Sequence, residues 1–459
     1  MSDAVMAVVL AAGKGTRMKS NLPKVLHPLL GKPMLVYAVA AAQEATGVPP
    51  VVVVGHQAGR VQQTFAETGV RFVVQDPPLG TGHAVQQAQQ AAQDARWVLV
   101  TNGDMPLIRG ETLRRLVEAQ RAHPGPITLL TVIAEDPRGF GRVVRDEQGF
   151  VRAIVEEADA TPEQKAIREL NVGAYCFDAA WLWEHLPRLP LSPKGEYYLT
   201  DLIGLAVAEG QSVQALTLED PTEAIGVNTR VHLAEAMRVL QRRIHEHWML
   251  AGVTLVDPER TYIESTVTLG QDTVVWPDTY LLGDTHIGEG CEIGPNTYIR
   301  DTRVGHRCKI FASVLKQAVV EDEVDIGPYG HLRKGAHLAR GVHMGNFGEV
   351  KNAYLGPGTK MGHFSYIGDA TIGAEVNIGA GTITCNYDGV RKHHTTIEDG
   401  VFIGSDTMLV APVHLGKGAR TGAGAVVTKD LPPFTLAVGM PARVIRRLQP
   451  PEEAADEAG

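Results

Sequence analysis

Gly13 and Gly15 stand in the run LAAGKGTRMKSNLPK, with Arg17 and Lys24 close behind them. Glycines let a backbone approach a ligand and expose N–H donors, and the two cations add charge, so the run reads as a phosphate cradle. It is not a P-loop, because no Gly-Lys-Ser/Thr follows, and it is not GxGxxG, because Met18 holds the third glycine's place. Read alone it is equally a plain Gly-rich turn. Asp104, in NGDMP, places a carboxylate just after the apolar run 97–100. Alone it is a turn residue. Beside a phosphate cradle it is a candidate Mg²⁺ ligand, since that ion takes one or two carboxylates plus substrate phosphates. In QDPPLGTGHA, Gln75, Gly80 and Thr81 offer an amide and a close backbone approach suited to a flat base.

A second set lies in the C-terminal half: Arg333, Glu349, Lys351, His363, Tyr366, Asn377, Asn386 and Lys392. Each alone reads more readily as a solvated surface residue. Together they hold a general base, a carboxylate to orient it and three cations, parts that an acyl transfer to an anionic acceptor could use. The oxyanion of such a transfer needs donors that backbone N–H groups can supply.

The elements that must position these residues differ between the halves. Up to about residue 227, short apolar runs at 5–10, 51–54, 72–74 and 97–100 alternate with helix-like stretches, which predicts a parallel sheet flanked by helices. Thr229 can cap a helix whose apolar residues Leu233, Met237, Leu240, Ile244 and Trp248 keep steps of three and four. Beyond 250 the period becomes six: Ile263, Leu269, Val275, Leu281, Ile287, Ile293 and Ile299, and again Ile397, Ile403, Leu409, Leu415, Thr421 and Val427. Neither helix nor ordinary strand has that period, and a parallel β-helix does. Between Ile378 and Ile397 the register breaks at AGTITCNYDGVRKHHTT, which predicts a projecting loop.

The chain has 459 residues, more than one hydrophobic core usually serves, so two or three domains are expected. We expect boundaries at 1–228, 229–250 for the connecting helix and 251–449, with 450–459 a disordered acidic tail. The 43 Lys and Arg against 52 Asp and Glu leave a formal net charge of −9, which argues against nucleic acid or anionic lipid as partner. Four separated cysteines without metal spacing, no basic segment leading into an apolar one at the start, and no apolar run of membrane length fit a cytoplasmic protein.

LAAGKGTRMKSNLPK, LGTGHA, NGD, GFGRVV, IVEEADA, LNVGAY, KGEYYLTD and GVNTR, in that order, resemble the sugar-1-phosphate nucleotidyltransferases. With the hexapeptide half behind them, the resemblance narrows to the bacterial bifunctional N-acetylglucosamine-1-phosphate uridyltransferase and glucosamine-1-phosphate acetyltransferase family. It implies an α/β nucleotidyltransferase domain (Rossmann-like, with a mixed, mostly parallel sheet) followed by a left-handed β-helix. It also implies a homotrimer with acetyl sites between neighbours. The implied reactions are acetylation of glucosamine-1-phosphate by acetyl-CoA, then UMP transfer from UTP to N-acetylglucosamine-1-phosphate. The product, UDP-N-acetylglucosamine, is a precursor of peptidoglycan and lipopolysaccharide.

By the same resemblance Leu10 and Gly13 lie along the nucleotide, Arg17 and Lys24 neutralise phosphates, and Gln75, Gly80 and Thr81 meet uracil. Asp104 and Asn228 hold Mg²⁺, although Asn228 also stands where a helix cap would. Gly141, Glu156 and Asn171 meet the sugar, and Asn102 replaces an aromatic residue next to the Gly-Asp pair. In the second half His363 is the base and Glu349 supports it. Arg333, Lys351, Tyr366, Asn377, Asn386, Tyr387 and Lys392 surround the acceptor, and Ala380, Ser405 and Ala423 lie along coenzyme A. Met440 replaces an arginine that would meet a coenzyme A phosphate. Arg443, Arg446 and Arg447 follow within one or two helical turns, and Arg443 is the expected substitute or part of a solvated face. Two other readings remain at this point: a nucleotidyltransferase whose β-helix is a regulatory or oligomerising arm, and a binding or scaffold protein on an inactive transferase fold.

Overall fold

The computed structural model describes residues 3–66 and 68–450, so the expected acidic tail beyond 450 lies outside the described residues. The chain divides into two compact units, the first ending at Leu240 and the second starting at Gln241.

In the first unit, seven strands make the backbone of one sheet: β1 (Val5–Ala11), β2 (Val51–Val54), β3 (Arg71–Val74), β4 (Trp97–Asn102), β5 (Ile127–Ile133), β6 (Glu169–Asp178) and β7 (Val213–Thr217). Their order is β7-β5-β6-β4-β1-β2-β3. β1 pairs parallel with β2 and β4, whereas β6 runs antiparallel between β4 and β5, so the sheet is mixed. The central strands are continuous apolar runs because both of their faces are covered. Val8, Val52, Leu99 and Val100 have no solvent exposure, and two apolar clusters fill the two sides. β1 and β4 are neighbours with Leu10 opposite Asn102, so the cradle after β1 and the NGD turn after β4 emerge at the same sheet edge.

The helix Arg230–Leu250 starts as the sequence requires, with Thr229 Oγ1 accepting from the backbone N–H of His232 at 3.2 Å. Leu233, Met237 and Leu240 pack in an apolar cluster of the first unit, and Ile244 and Trp248 against the core of the second.

The second unit is a parallel β-helix with three flanks. The six-residue series resolves into three interior ladders, one per flank: Ile263, Leu281, Ile299 and Leu315; Leu269, Ile287, Val304 and Val320; Val275, Ile293, Ile310 and Ile326. All are buried. Early coils repeat every eighteen residues, as where Tyr262 lies opposite Tyr280; later ones shorten to sixteen or seventeen, as where Arg303 lies opposite Val319 and Glu349 opposite Tyr366. These short coils end the visible six-residue pattern near 300. Ala370 then pairs with Thr395, and the extra residues of that long step form the projecting loop. Thr421, polar in an aliphatic column, is buried because its Oγ1 accepts from the N–H of Gly404 at 2.9 Å.

One expectation is corrected here. Residues 443–447 are not helical: Arg443–Arg447 is a strand, antiparallel to Thr435–Val438 and at the end of its sheet. Five residues are too few for helical and strand periods to separate, and pairing across the turn at 439–442 decides.

The ladder also sets a stability expectation. Leu332 is fully buried between Leu315 and Val350, so Leu332→Ala should cost about 2–5 kcal/mol in urea unfolding of the full chain.

Candidate active sites

The first unit holds a cavity of about 730 Å³ at the carboxyl edge of β1 and β4. Leu10, Gly13, Arg17, Lys24, Gln75, Gly80, Thr81, Asn102, Asp104, Glu156 and Asn228 all line it. At its centre Lys24 Nζ lies 2.5 Å from Asp104 Oδ2 and donates to Asn228 Oδ1 at 3.1 Å, while an Arg17 Nη donates to the same Oδ1 at 2.9 Å. Gly15 makes this possible: its φ is +62°, and a Cβ there would stand 2.5 Å from Lys24 Cβ. Asn228 is therefore not the helix cap; Thr229 is, and the Asn228 amide oxygen faces two cations.

Asp104 and Asn228 thus present two hard oxygens side by side, with two cations beside them. Among the described residues no cluster of three or more His, Cys, Asp or Glu forms a closed metal cage. A carboxylate and an amide oxygen, completed by phosphate oxygens, suit Mg²⁺, which keeps few protein ligands.

The loop that carries Gly80 and Thr81 is fastened to a second segment. Tyr197 N–H donates to the Leu79 carbonyl and Gly82 N–H to the Tyr197 carbonyl, both at 2.8 Å, and Thr81 Oγ1 accepts from Leu199 N–H at 3.0 Å. Gly80, at φ +96°, has no room for a side chain: a Cβ would stand 2.6 Å from the Tyr197 oxygen. This accounts for the presence of both LGTGHA and KGEYYLTD. Glu196 and Tyr198 of the second motif also line the cavity, as do Lys14 and Phe140. The motif marked Glu196 and Tyr198, but no residue type singled them out.

Glu156 accepts from the Thr200 hydroxyl at 3.0 Å; burial pushes its carboxyl up, with Asp201 and Asp159 adding and the Thr200 bond opposing. Asn171 and Gly141 are joined, Asn171 N–H donating to the Gly141 carbonyl at 2.9 Å. The Asn171 side chain is already used within the fold, donating to Tyr175 Oη at 2.7 Å and accepting from Gly173 N–H at 3.1 Å, and neither residue lines the cavity. Asn102 donates to the Gly173 carbonyl at 3.3 Å, against a glycine at φ +82° whose Cβ would stand 2.5 Å from it.

On the β-helix, Arg333, Lys351 and Gly368 follow one another up one flank, beside the column His331, Glu349 and Tyr366. Tyr366 folds over Gly368, where a Cβ would stand 2.3 Å from its hydroxyl. The Lys351 ammonium is held below the usual lysine range by its hydrogen-bonding contact with Lys392, by the charge of Lys392 and by that of Arg333. Three cations so close mark a place for an anion. Asn386 is fixed by donating to Asp369 Oδ2 at 2.5 Å, and Asn352 donates to Oδ1 at 2.6 Å. Burial raises the Asp369 carboxyl, but these bonds and the charges of Lys392 and Lys351 bring it below its usual value. Asp369 escaped the sequence reading because an Asp in a repeat carries no signal of its own.

The loop carrying Lys392 is a small hairpin, with Tyr387 bridged to Lys392 and the Tyr387 hydroxyl donating to the Gly389 carbonyl at 2.7 Å. Asp388 braces it by accepting from Arg391 N–H, His393 Nε2 and Val390 N–H, which together hold its carboxyl well below the usual range.

Two candidates make no side-chain hydrogen bond or ion pair with this cluster among the described residues. His363 is exposed at a corner and, among the described residues, has no hydrogen bond or ion pair in the protomer. Glu349 pairs with Arg333 at 2.8 Å rather than with His363. Asn377 lies on another flank, between Lys360 and Phe402. Ala380, Ser405 and Ala423 climb one corner of the coil, Asp406 N–H donating to the Ala380 carbonyl and Gly424 N–H to that of Ser405. Arg443 lies opposite Val438, whose side chain abuts Gly422, next to Ala423. Among the described residues its guanidinium bonds only its neighbour's carbonyl, that of Ala442, at 3.0 Å.

Comparisons with known proteins agree with both halves. A family model described as a MobA-like NTP transferase domain matches residues 7–172, and bacterial transferase hexapeptide repeats match 266–301 and 394–429. The curated Bifunctional protein GlmU of Trichlorobacter lovleyi is 49% identical over 436 residues, covering 94% of this chain and 95% of that one. The proteins of the same name from Heliobacterium modesticaldum and Pelobacter propionicus are 48% and 47% identical, over 94% and 96% of this chain and 94% and 97% of their own. A nucleotide-sized cavity on an α/β sheet, a cationic cluster on a hexapeptide β-helix and identity of this extent converge: the chain belongs to the bifunctional GlmU family, enzymes that join a uridyltransferase and an acetyltransferase in one polypeptide.

Proposed function

We propose that residues 1–228 transfer UMP from UTP to N-acetylglucosamine-1-phosphate and that residues 251–449 first make that acceptor from glucosamine-1-phosphate and acetyl-CoA, with 229–250 as the connecting helix. The observation that carries the first half is the convergence of Arg17, Lys24, Asp104 and Asn228 in one cavity. A sugar-phosphate oxygen bonds to the α-phosphorus of UTP, the bond to the β-phosphate oxygen breaks, and pyrophosphate leaves. Arg17 and Lys24 neutralise the charge that builds on the phosphates, and the glycine-rich backbone orients them. Asp104 and Asn228 hold Mg²⁺, which when bound neutralises further phosphate charge. Gln75, Gly80 and Thr81 read uracil, and Glu156, Gly141 and Asn171 the sugar.

In the second half Arg333, Lys351 and Lys392 hold the acceptor phosphate, with Tyr366, Asn386 and Tyr387 around the sugar. His363 takes the proton from the amine as its nitrogen bonds to the thioester carbonyl and coenzyme A leaves as the thiol. We propose a homotrimer, because His363 is exposed and has no hydrogen-bond partner among the described residues while Asn377 lies on another flank, so a neighbouring copy can complete the site. No described helix is long and apolar enough to cross a membrane. The substrates and the four free cysteines suit the cytoplasm. The cationic cluster favours this reading over a non-catalytic β-helix.

Pyrophosphate release from UTP and N-acetylglucosamine-1-phosphate should stop on chelating Mg²⁺ while acetylation continues. Chelation that stopped both would refute the division. Arg443→Ala should raise the KM for acetyl-CoA about 10- to 150-fold, one charge-assisted contact, and leave the KM for UTP unchanged. An unchanged KM for acetyl-CoA would return Arg443 to the solvated face.

A further inference from the structure

LGTGHA contains a histidine with no part in the mechanism above. His83 is half-buried on the helix Thr81–Gln87, next to the base-reading loop. Its Nδ1 lies 3.2 Å from Gln75 Nε2 and its Nε2 lies 3.0 Å from the Gln87 amide. Gln75 Nε2 also donates to the Gly80 carbonyl at 2.9 Å. Because a carbonyl oxygen only accepts, this bond fixes which end of the Gln75 amide is its NH₂ group. The second N–H of that group then points to His83 Nδ1, which must be unprotonated to accept it. A neutral ring with a bare Nδ1 carries its proton on Nε2; Gln87 Nε2 also lies 3.4 Å from the His83 carbonyl, a longer bond than the 2.9 Å one that fixes Gln75, so Gln87 gives up that contact and turns its oxygen to the ring.

The chain of bonds has one polarity from end to end, and it leaves Gln75 a single free group. Both amide hydrogens are used, and Oε1 has no hydrogen bond among the described residues. The residue lines the cavity while being only 5% exposed. An unpartnered amide oxygen on a residue that lines the cavity selects a ring N–H. Uracil offers one at N3, whereas cytosine presents a lone pair there and would leave two acceptors facing each other, a mismatch that desolvation makes costly.

We propose that His83 is a positioning residue for base selection: it locks the Gln75 amide with its oxygen toward the cavity, and so makes the site accept a uracil nucleotide and refuse a cytosine one. This rests on the uridyltransferase reading of the first unit. Without the ring, the Gly80 carbonyl alone restrains the amide, which can turn and offer NH₂ to cytosine N3.

The test is kcat/KM for UTP and for CTP with N-acetylglucosamine-1-phosphate, in the full-length protein, for the wild type, His83→Leu and His83→Asn. His83→Leu should lower the UTP-to-CTP ratio about 3- to 10-fold, the worth of one neutral hydrogen bond, mostly through KM for UTP. His83→Asn keeps an acceptor near the place of Nδ1 and should restore the ratio to within about twofold of wild type. Acetylation at the wild-type rate shows that a variant is folded. An unchanged ratio in folded His83→Leu overturns the proposal, and so does an Asn variant as unselective as the Leu variant. Should His83→Leu not fold, Gln87→Leu, which removes the acceptor for Nε2–H, should move the ratio the same way, and an unmoved ratio again overturns it. A wild type that turns over neither nucleotide would instead refute the uridyltransferase reading.

Discussion

Asp104→Ala should lower uridylyl transfer at least about 10²-fold and leave acetylation at its wild-type rate. Among the described residues Asp104 is the one carboxylate hydrogen-bonded at the meeting of Arg17, Lys24 and Asn228. Its removal would delete a proposed Mg²⁺ ligand and release the Lys24 ammonium from its 2.5 Å contact. Groups aimed at charge developing in a transition state are worth about 10²–10³-fold each, and Asp104 governs two of them, so a loss of at least about 10²-fold is expected. Pyrophosphate release measures the loss and free thiol the spared reaction. Asp104→Asn, which keeps an oxygen but drops the charge, should retain more activity than Ala if oxygen donation matters alongside charge. Equal losses would assign the whole effect to charge.

His363→Ala should do the reverse. A general base contributes about 10²–10⁴-fold, and no other neutral-range base belongs to the proposed acceptor set. Thiol release should fall by that factor while pyrophosphate release from supplied N-acetylglucosamine-1-phosphate is unchanged. Because His363 has no carboxylate partner among the described residues and Glu349 is paired with Arg333, Glu349→Gln should act first on acceptor binding, raising the KM for glucosamine-1-phosphate more than it lowers kcat. A kcat loss in that variant equal to that of His363→Ala would place Glu349 on the histidine after all, through a neighbouring copy.

The β-helix was legible wherever its coils hold eighteen residues, because each interior ladder then recurs at every third hexad. It faded between 300 and 397, where Arg303 to Val319 takes only sixteen residues and Ala370 to Thr395 takes twenty-five. The loop at 385–394 announced itself by its polar and basic residues, but not that Asp388 braces it. In the first unit the cradle and the NGD turn could be placed at one sheet edge because apolar runs led into both. Asn228 could not be separated from a cap by sequence, since Asn and Thr are both good caps; geometry gives the cap to Thr229. The pairing of β6 against its neighbours left no trace, because apolar strands read alike in either direction. His83 was invisible for another reason: its role depends on which end of Gln75 faces it, and Gly80 decides that.

The most direct test of two linked activities in one chain is a sequential assay. Purified protein is given glucosamine-1-phosphate and acetyl-CoA, free thiol is followed to completion, and UTP with Mg²⁺ is then added and pyrophosphate followed. Thiol release, then pyrophosphate matching it mole for mole, with UDP-N-acetylglucosamine as the product, is the expected result. Pyrophosphate released only from supplied N-acetylglucosamine-1-phosphate, with no thiol in the first stage, would contradict it and leave the β-helix without an acetyltransferase.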